Sequence, residues 1–321
     1  MKVLIIGEIN QTGINLLKTR ANITVEITGA HDEHDLVKLV HDVDGILVRS
    51  ALITSSIIEA APSLKVVSRH GVGFNSVDVQ ALSLRGIPLT IAVGGNAVSV
   101  AEHTLYLILA LAKQGKRYDT AARHGDFNFR NTPISHEIGT SRLLVIGFGR
   151  IGTQVARRAS AFGMAIHVYD PYVPDNVIND HGAQIVQNLN DALPQMDIVS
   201  VHCPLNEETK HLIGSRELGL MKPNALLINT ARGGIVDENA LHDALRHGQI
   251  AGAGIDVFVI EPTNPSLNLL KLDNVVVSPH CAGVTVESSA RTAEIAAQNV
   301  LNGLDSKLDE SFVVNPEVLQ Q

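Results

Sequence analysis

The chain has no tryptophan, only 3% aromatic residues and only two cysteines, Cys203 and Cys281, in 321 residues. Two isolated cysteines provide neither a disulfide framework nor a cysteine-rich metal motif, so we expect a protein of the reducing cytoplasm that holds no metal. Long apolar runs are also missing. The longest, at 105–112, is far shorter than the roughly 20 residues of a membrane span. The apolar start within residues 1–8 is too short for a signal peptide, and we expect none.

Neither sign of charge is concentrated in one segment. Lysine and arginine number 25 against 33 aspartates and glutamates, which gives a net charge of −8. Proteins that bind nucleic acids or anionic membranes usually carry clustered basic residues, so we expect neither as a partner. With 45% hydrophobic residues, the chain is long enough for two globular domains of ordinary size.

Short apolar runs alternate with helical patterns along the whole chain, which predicts parallel sheets with crossover helices. Candidate strands of a first sheet lie at 2–6, 23–27, 45–48, 65–68 and 88–91, with helical segments at 14–19, 32–41 and 77–85. Candidate strands of a second sheet lie at 143–146, 165–169, 184–186, 198–201, 225–229, 252–255 and 275–277. The fold class is therefore α/β.

One helical stretch, residues 96–124, is unusually long, and its middle at 104–112 is apolar on every side. A helix that is apolar all round is buried. We expect this helix to cross between the two domains and to pack against a second copy of the chain. A homodimer is therefore predicted.

A glycine motif follows the apolar run at 143–146, since residues 147–152 read Gly-Phe-Gly-Arg-Ile-Gly. Between a strand and a helix, Gly147 allows the tight turn, Gly149 lets the backbone approach a pyrophosphate, and Gly152 lets the helix pack close to the strand. The motif in this setting predicts that the second sheet binds a dinucleotide.

Two further features support a dinucleotide and select its type. The helix at about 151–162 points free N–H groups, those of Arg150 and Ile151 among them, and its positive dipole end at the phosphates. Asp170 follows at about the 20-residue spacing of this motif and would accept hydrogen bonds from the adenine-ribose hydroxyls. Its charge would repel a 2′-phosphate, and residues 171–173 supply no arginine to offset it. The predicted cofactor is NAD rather than NADP.

Arg232, Glu261 and His280 each follow a predicted strand of the second sheet. Ligands of open parallel sheets bind beyond the carboxyl ends of the strands. The arginine can hold a carboxylate by two parallel hydrogen bonds and polarise a keto oxygen. The histidine can donate a proton to that oxygen, while the glutamate would orient the imidazole and favour its charged form. Hydride transfer to a 2-keto acid requires groups of this kind.

Neighbouring residues of reactive type have simpler interpretations. Cys281 lies beside His280 without the partners of a nucleophilic cysteine, so we expect a small buried thiol. His103, His124 and His247 fall within helical stretches, and we expect surface or packing roles for them.

The chain resembles the D-isomer-specific 2-hydroxyacid dehydrogenases over essentially its whole length, and in particular the phosphoglycerate dehydrogenase-like branch. The resemblance implies two Rossmann-like domains, one flavodoxin-like and one dinucleotide-binding, with parallel sheets and a cleft between them. The segments that carry it are 48–50, 70–78, 96–102, 147–152, 202–205, 229–234, 254–258, 261–262 and 279–283.

The resemblance also implies domain bounds and a dimer. The catalytic domain would comprise residues 1–99 plus 288–321, and the closing helix at 287–301 would return to it. The NAD-binding domain would comprise residues 100–287, and two such chains would form a homodimer.

Roles of individual residues follow from the same resemblance. Arg232, Glu261 and His280 would form the catalytic set, the backbone of Val72 and Gly73 would bind the substrate carboxylate, and Asp256 would reach the nicotinamide carboxamide. The residues implied at the cofactor are Gly147, Gly149, Arg150, Ile151, Gly152, Asp170, His202, Pro204, Thr209, Thr230, Ala231, Arg232, Asp256, His280 and Gly283. Those implied at the substrate are Arg49, Ser50, His70, Gly71, Val72, Gly73, Asn96, Arg232 and His280.

Departures from the family pattern leave the substrate open. Phosphoglycerate dehydrogenases often carry a second arginine shortly after the one matching Arg49, to hold a phosphate, and Ala51 stands there instead. Formate dehydrogenases carry glutamine where this chain has Pro279. The candidate substrates are 3-phosphoglycerate, hydroxypyruvate and glyoxylate. The alternative is a corepressor-like protein that senses NADH and binds partners without turnover, although the chain shows no tails or basic patches for partners.

Overall fold

The structure is a computed structural model that describes residues 1–320. The chain divides into two compact units. Unit 1 is Met1–Asn96 with the segment from Val284 onwards, and unit 2 is Ala97–Gly283. The boundaries expected from the sequence, 99/100 and 287/288, lie a few residues later. Among the described residues, no helix combines the length and the apolarity needed to cross a bilayer.

Unit 1 alternates strands and helices, and its strands form a five-stranded parallel sheet. Its elements are β1 (Lys2–Ile6), α1 (Gln11–Lys18), β2 (Thr24–Thr28), α2 (Glu33–Leu39), β3 (Gly45–Val48), α3 (Ser55–Glu59), β4 (Val66–Arg69), α4 (Val79–Leu84) and β5 (Leu89–Ile91). The strand order is β2-β1-β3-β4-β5. A parallel order of this kind requires the crossover helices that the sequence pattern predicts.

Unit 2 carries a seven-stranded parallel sheet. Its elements are α5 (Ala97–Ala112), α6 (Gly115–Arg123), β6 (Arg142–Ile146), α7 (Arg150–Ala161), β7 (Ala165–Tyr169), α8 (Asp175–Asp180), β8 (Gln184–Ile185), α9 (Leu189–Ala192), β9 (Ile198–Val201), α10 (Ser215–Leu220), β10 (Leu226–Asn229), α11 (Glu238–Arg246), β11 (Gly252–Ile255) and β12 (Val275–Val277). The strand order is β12-β11-β10-β9-β6-β7-β8. Short 3-10 helices lie at Phe127–Asn131, Leu193–Gln195 and Asn268–Lys271, and in unit 1 at Glu310–Phe312 and Pro316–Gln320.

The closing helix, α12 (Val286–Leu304), belongs to unit 1 and covers one face of its sheet. Val300 of this helix packs in one buried apolar cluster with Val3 of β1. The helix also lies close to α1, because a Cβ on Gly13 would stand 2.6 Å from the carbonyl oxygen of Ala293. The alternate residues of β1 face a second cluster, so the sheet is buried on both faces and its loops lie at its edges.

The helical stretch predicted at 96–124 is two helices rather than one. α5 ends at Ala112, and Gln114, with a φ of 52°, turns the chain before α6 begins. α5 is largely buried, as its apolar sequence predicts. The expectation that it is buried on every side is wrong at Tyr106, which is 55% exposed, because a tyrosine combines an apolar ring with a hydroxyl that tolerates water.

The predicted strands are all present, with bounds that agree to about one residue. Buried parallel strands read as continuous apolar runs, which makes them easy to place. Helix starts are less well predicted, since α1 begins at Gln11 after the Asn10 cap rather than at residue 14. The α/β fold class with two Rossmann-like parallel sheets is confirmed.

Candidate active site

The ionisable residues predicted to function in unit 2 lie at one edge of its sheet. Arg232, Glu261 and His280 follow β10, β11 and β12, while Asp170 follows β7. Because the strands are parallel, these loops share the carboxyl edge, where ligands of open sheets bind. β6 pairs with β7 on one side and β9 on the other, which makes β6 the switch point of the winding. Three strand spacings, about 14 Å, separate β7 from β10.

The glycine turn after β6 has a shape that only glycine permits. Gly147 has a φ of 90°, and a Cβ there would stand 2.6 Å from the amide nitrogen of Cys203. A Cβ on Gly152 would stand 2.1 Å from the carbonyl oxygen of Gly147. A Cβ on Gly149 would meet no atom within 4 Å. Packing requires the first and last glycines, and the open space at the middle one fits a group that approaches the backbone.

The start of α7 supplies donors to that space. α7 begins at Arg150, one residue before the predicted start, and Gly149 is its N-cap. The amides of Arg150 and Ile151 lie in the first turn, where helical N–H groups have no partner inside the helix. With the helix dipole they suit a pyrophosphate, so these residues fit a dinucleotide.

Asp170 joins the end of β7 to the glycine turn. Its Oδ2 accepts a hydrogen bond from the amide of Phe148 at 2.7 Å, and its Oδ1 accepts one from the amide of Tyr172 at 2.9 Å. Each carboxylate oxygen keeps a lone pair for a further donor, which fits a ribose hydroxyl. The hydroxyl of Tyr172 donates to the carboxylate of Glu208, so a second negative charge borders this loop.

In the segment after β9, two of the predicted cofactor residues, His202 and Thr209, already have hydrogen-bond partners within the chain. The Nε2 atom of His202 lies 2.8 Å from Ser200 Oγ, whereas its buried Nδ1 has no partner within the described residues. Burial lowers the pKa of His202 to about 3, so the imidazole is neutral. The Thr209 hydroxyl donates to the carbonyl oxygen of Pro204 at 2.5 Å and accepts from the amide of Asn206 at 2.9 Å. Thr209 therefore closes a turn with its hydroxyl.

Arg232 stands on a loop that is clamped from both sides. The Oδ1 atom of Asn229 accepts from the amide of Ala231 at 3.0 Å, and its Nδ2 donates to the carbonyl oxygen of Arg232 at 2.9 Å. A Cβ on Gly233 would stand 2.1 Å from the carbonyl oxygen of Phe258. The absence of a side chain there lets the loop lie against the segment that leads to the predicted catalytic glutamate.

Glu261 and His280 form a hydrogen-bonded pair at the same edge. His280 Nδ1 lies 2.6 Å from Glu261 Oε2, and the other carboxylate oxygen accepts from the amide of Phe258 at 2.9 Å. With Nδ1 engaged, Nε2 is the imidazole nitrogen left for a reactant. Burial lowers the pKa of Arg232 while the Glu261 charge opposes that shift, and the guanidinium stays charged.

Asp256, predicted at the nicotinamide, is 1% exposed. Its Oδ1 accepts from Ser278 Oγ at 2.5 Å and from the amide of Cys281 at 2.9 Å, and its Oδ2 accepts from the amide of Ala282 at 2.9 Å. The carboxylate is thus tied to residues on both sides of His280. The expected small thiol at Cys281 is half-buried, and burial raises its pKa.

Of the other predicted cofactor residues, Thr230 forms a hydrogen bond within unit 2 and Ala231 is buried there. Thr230 is buried, with its Oγ1 3.0 Å from Thr104 Oγ1. Because Thr104 donates its proton to the carbonyl oxygen of Val100, Thr230 must be the donor of this pair. Ala231 is buried, and Gly283 is the last residue of the unit.

The predicted substrate residues of unit 1 lie at the carboxyl edge of its own sheet. Arg49 and Ser50 follow β3, and His70 follows the adjacent strand β4. The amide of His70 donates to the carbonyl oxygen of Val48 at 2.8 Å. Arg49 Nη1 donates to the carbonyl oxygen of Glu8 at 2.9 Å, at the end of a third neighbouring strand.

The imidazole of His70 at this edge is neutral and is influenced by the charges of two guanidinium groups. Burial lowers the pKa of His70 to about 4, and the charges of Arg49 and Arg69 act in the same direction. His70 Nε2 has no hydrogen-bond partner within residues 1–320. Arg69 Nη1 donates to the carbonyl oxygen of His70 at 2.5 Å. The local charge is therefore positive, which suits an anion.

The loop at 71–73 offers backbone donors. Gly71 has a φ of 142°, and a Cβ there would stand 3.2 Å from Arg69 Nη1. Among the described residues, the amides of Val72 and Gly73 donate to no acceptor, so they are available to a carboxylate. Asn96 is half-buried and is the last residue before unit 2.

Arg69 lies at the carboxyl edge of the unit 1 sheet, and His103 is hydrogen-bonded to a residue at that edge of the unit 2 sheet. The sequence patterns predict a role at the site for neither residue. Arg69 directly precedes His70, so its position beside a predicted substrate residue is a signal that sequence reasoning could use. His103 lies 2.8 Å from Ser278 Oγ, 175 positions away in the chain. The expectation of a surface or packing role for His103 misses this bond, because no local pattern reports so distant a partner.

The chain is similar to proteins of known activity. Residues 105–282 match the family model described as D-isomer specific 2-hydroxyacid dehydrogenase, NAD binding domain. The chain is 37% identical over 324 residues to D-3-phosphoglycerate dehydrogenase of Methanocaldococcus jannaschii, which covers 100% of this chain and 61% of that protein. It is also 37% identical over 325 residues to glyoxylate reductase of Thermofilum pendens, with 99% and 96% covered.

A solved structure has the same fold. The D-lactate dehydrogenase of Aquifex aeolicus, complexed with NAD and lactic acid, superposes with a TM-score of 0.87 at 29% identity, covering 98% of this chain and 99% of that one. The chain spans about three fifths of the phosphoglycerate dehydrogenases it matches, 61% and 57% in two of them.

Proposed function

The chain belongs to the D-isomer specific 2-hydroxyacid dehydrogenase family, and from that premise we propose that it interconverts a D-2-hydroxy acid and its 2-keto acid with NAD as the cofactor. The observation that carries the proposal is the 2.6 Å contact of His280 with Glu261. With Arg232 on the next loop, a proton donor, its orienting carboxylate and a cation for the substrate follow three adjacent strands.

In the direction of reduction, Arg232 binds the 2-keto acid through its N–H groups and polarises the keto oxygen. His280 gives the proton on Nε2 to that oxygen while C2 accepts a hydride, so that C=O becomes H–C–O–H. NADH supplies the hydride when bound. Glu261 holds Nδ1 throughout and keeps Nε2 directed at the reactant. In oxidation, His280 takes the hydroxyl proton back.

The residues of unit 2 support NAD over NADP. Asp170 would accept the ribose hydroxyls, and the amides at the start of α7 would hold the pyrophosphate. The carboxylate of Glu208, bonded to Tyr172 in the next loop, adds a second negative charge against a 2′-phosphate. Asp256 would hold the carboxamide of the nicotinamide.

For the substrate class, we propose an acid with a second anionic group, with 3-phosphoglycerate as the best candidate. The support is the pair of guanidinium groups of Arg49 and Arg69, whose charges both act on neutral His70 and which donate to the carbonyl oxygens of Glu8 and His70. Arg69 offers the second cation that Ala51 does not supply. Phosphate takes bidentate hydrogen bonds from guanidinium groups, whereas glyoxylate and hydroxypyruvate have no second anion for them.

We further propose a cytoplasmic homodimer. Tyr106 on α5 and Phe127 beyond α6 are 55% and 69% exposed, and exposed aromatic residues are enriched at protein interfaces. Both cysteines are free, which suits a reducing compartment. Light scattering after gel filtration should give twice the chain mass of 34.3 kDa, and a monomer mass would contradict the dimer.

The activity is tested by following NADH consumption with a panel of 2-keto acids: phosphohydroxypyruvate, hydroxypyruvate, glyoxylate, pyruvate and oxaloacetate. We expect turnover, a D-configured product and the highest kcat/KM for the phosphorylated acid. An L-configured product would contradict the reaction. NADH binding without turnover of any acid would favour the corepressor-like alternative.

A further inference from the structure

A chain of partly buried polar groups runs from α5 to the loop that carries His280. His103 Nε2 lies 2.8 Å from Ser278 Oγ, which lies 2.5 Å from Asp256 Oδ1. The side chains of Asp256 and His103 are 1% and 19% exposed. Three residues that are far apart in sequence thus form one hydrogen-bonded series, and His103 has no role in the reaction described above.

The protons in this series have one consistent assignment. The carboxylate of Asp256 accepts from two backbone amides and from the Ser278 hydroxyl. Ser278 has one proton and donates it to Asp256. The hydroxyl oxygen must then accept from His103, whose Nε2 carries a hydrogen. With Nε2 as the donor in this contact, His103 carries a hydrogen on Nε2, and burial lowers its pKa against the opposing charge of Asp256.

Asp256 in turn holds three consecutive amides. Its carbonyl oxygen accepts from the amide of His280 at 2.8 Å, and its carboxylate accepts from the amides of Cys281 and Ala282 at 2.9 Å each. His280 has a φ of 51°, a left-handed conformation that non-glycine residues rarely adopt and that its surroundings must impose. The carboxylate of Asp256 is therefore part of what fixes the backbone of the proton donor.

We propose that His103 is a positioning residue, which acts through Ser278 and Asp256 to hold the His280 loop in its left-handed conformation. Without the Nε2–H donor, the Ser278 hydroxyl is free to rotate its proton away from Asp256, and the ties to Cys281 and Ala282 loosen. The effect falls on proton transfer and not on the glycine turn. Only the kinetic readout of this inference rests on the proposed function.

A metal site is the competing interpretation of the same residues. Ligand atoms of His103, Asp256 and Cys281 lie within 4.8 Å of one another. However, Asp256 Oδ1 already accepts from Ser278 and from the amide of Cys281, which uses both of its lone pairs. A cation would have to displace these bonds, so the hydrogen-bonded series is the better account.

The first test needs no substrate. His103→Leu and Ser278→Ala each break the series at a different link, while His103→Gln keeps a side-chain N–H near the position of Nε2. Glu102→Gln, on the exposed side of the same helix, is the matched control. In hydrogen exchange, we expect the amides of Cys281 and Ala282 to exchange about tenfold faster in the first two variants, the scale of one lost hydrogen bond. We expect wild-type exchange in His103→Gln and Glu102→Gln.

Kinetics give the second test. We expect kcat on the best keto acid to fall about tenfold in His103→Leu and in Ser278→Ala. The double variant should be no worse than either single one, because the two residues act in series. Nitrogen NMR of labelled histidine should assign the hydrogen of His103 to Nε2.

Independent outcomes would overturn the inference. Unchanged exchange in a folded His103→Leu or Ser278→Ala protein would do so, as would additive losses in the double variant or an Nδ1–H tautomer. A His103→Gln protein as impaired as His103→Leu would also contradict it. If the wild type turns over no keto acid, the proposed function fails, whereas the exchange and NMR measurements still decide the role of His103.

Discussion

The two units differ in how their charged side chains are paired. In unit 2, His280 is paired with Glu261 at 2.6 Å, and the loop of Arg232 is clamped by Asn229. In unit 1, the guanidinium groups of Arg49 and Arg69 donate to carbonyl oxygens, and the imidazole of His70 is neutral. In the first case a histidine is paired with a carboxylate, whereas in the second two guanidinium groups lie near a neutral imidazole.

Under the proposed function, this difference corresponds to a division between reaction and recognition. In the proposed reaction, the proton donor His280 must be held in one geometry, and its contact with Glu261 provides this. In the proposed function, the guanidinium groups of Arg49 and Arg69 and the amides of Val72 and Gly73, at the edge of unit 1, recognise the anionic substrate. We therefore expect substitutions in unit 2 to lower kcat for every acid, and substitutions in unit 1 to change which acid is preferred.

The largest expected effect is that of His280→Ala. Loss of the proton donor should lower kcat by about 10²–10⁴-fold, while NADH binding, measured by fluorescence titration, persists. His124→Ala, at an exposed histidine, is the control. Turnover near the wild-type rate in His280→Ala would show that the His280–Glu261 pair does not carry out the proton transfer.

Arg232→Lys should come next. Lysine keeps the charge but loses the planar pair of donors, so kcat/KM should fall by about 10²–10³-fold on every keto acid, the scale of one or two charged hydrogen bonds. Steady-state kinetics on phosphorylated and small acids would check this. A loss confined to one acid would assign Arg232 to recognition and break the comparison.

A smaller change is expected at the cofactor. Asp170→Ala removes the ribose acceptor and its charge, so kcat/KM with NADH should fall by about 10- to 100-fold and the preference for NADH over NADPH should narrow. The exposed Asp175→Ala should leave the preference intact. An unchanged preference in Asp170→Ala would sink the ribose assignment.

The smallest effect concerns stability. The pKa values of His70 and His202, about 4 and about 3, lie below the unfolded value of about 6.5. The unfolded chain therefore takes up protons first, and stability present above about pH 6.5 is lost as the pH falls towards 4 and 3. Each histidine contributes about 1.4 kcal/mol per pH unit. Urea unfolding of His70→Asn should show a shallower pH slope than wild type, and an equal slope would show that His70 is not held neutral.

The sequence predicts the positions of the proposed reaction residues because they follow strands. Arg232, Glu261 and His280 each come directly after an apolar run that is easy to read, and parallel strands bring their carboxyl ends to one edge. Asp170 is predictable for the same reason. The local sequence pattern of strand followed by polar residue therefore suffices to place this part of the site.

What the sequence could not predict is where each polar group finds its partner. The Thr209 hydroxyl donates to the carbonyl oxygen of Pro204, and the hydrogen-bond partner of His103 is 175 positions away. The break between α5 and α6 depends on the left-handed φ of Gln114, and the sequence does not predict it because the residue is not a glycine. These features arise from tertiary contacts and individual backbone angles, which local patterns do not report.

The division between the two units is tested most directly by one ratio, that of kcat/KM for phosphohydroxypyruvate to kcat/KM for glyoxylate, in wild type and in Arg69→Met. Loss of one charged hydrogen bond to the phosphate should lower this ratio by about 10- to 100-fold, while activity on glyoxylate stays close to wild type. Equal losses on both acids, or an unchanged ratio, would contradict the assignment of recognition to unit 1.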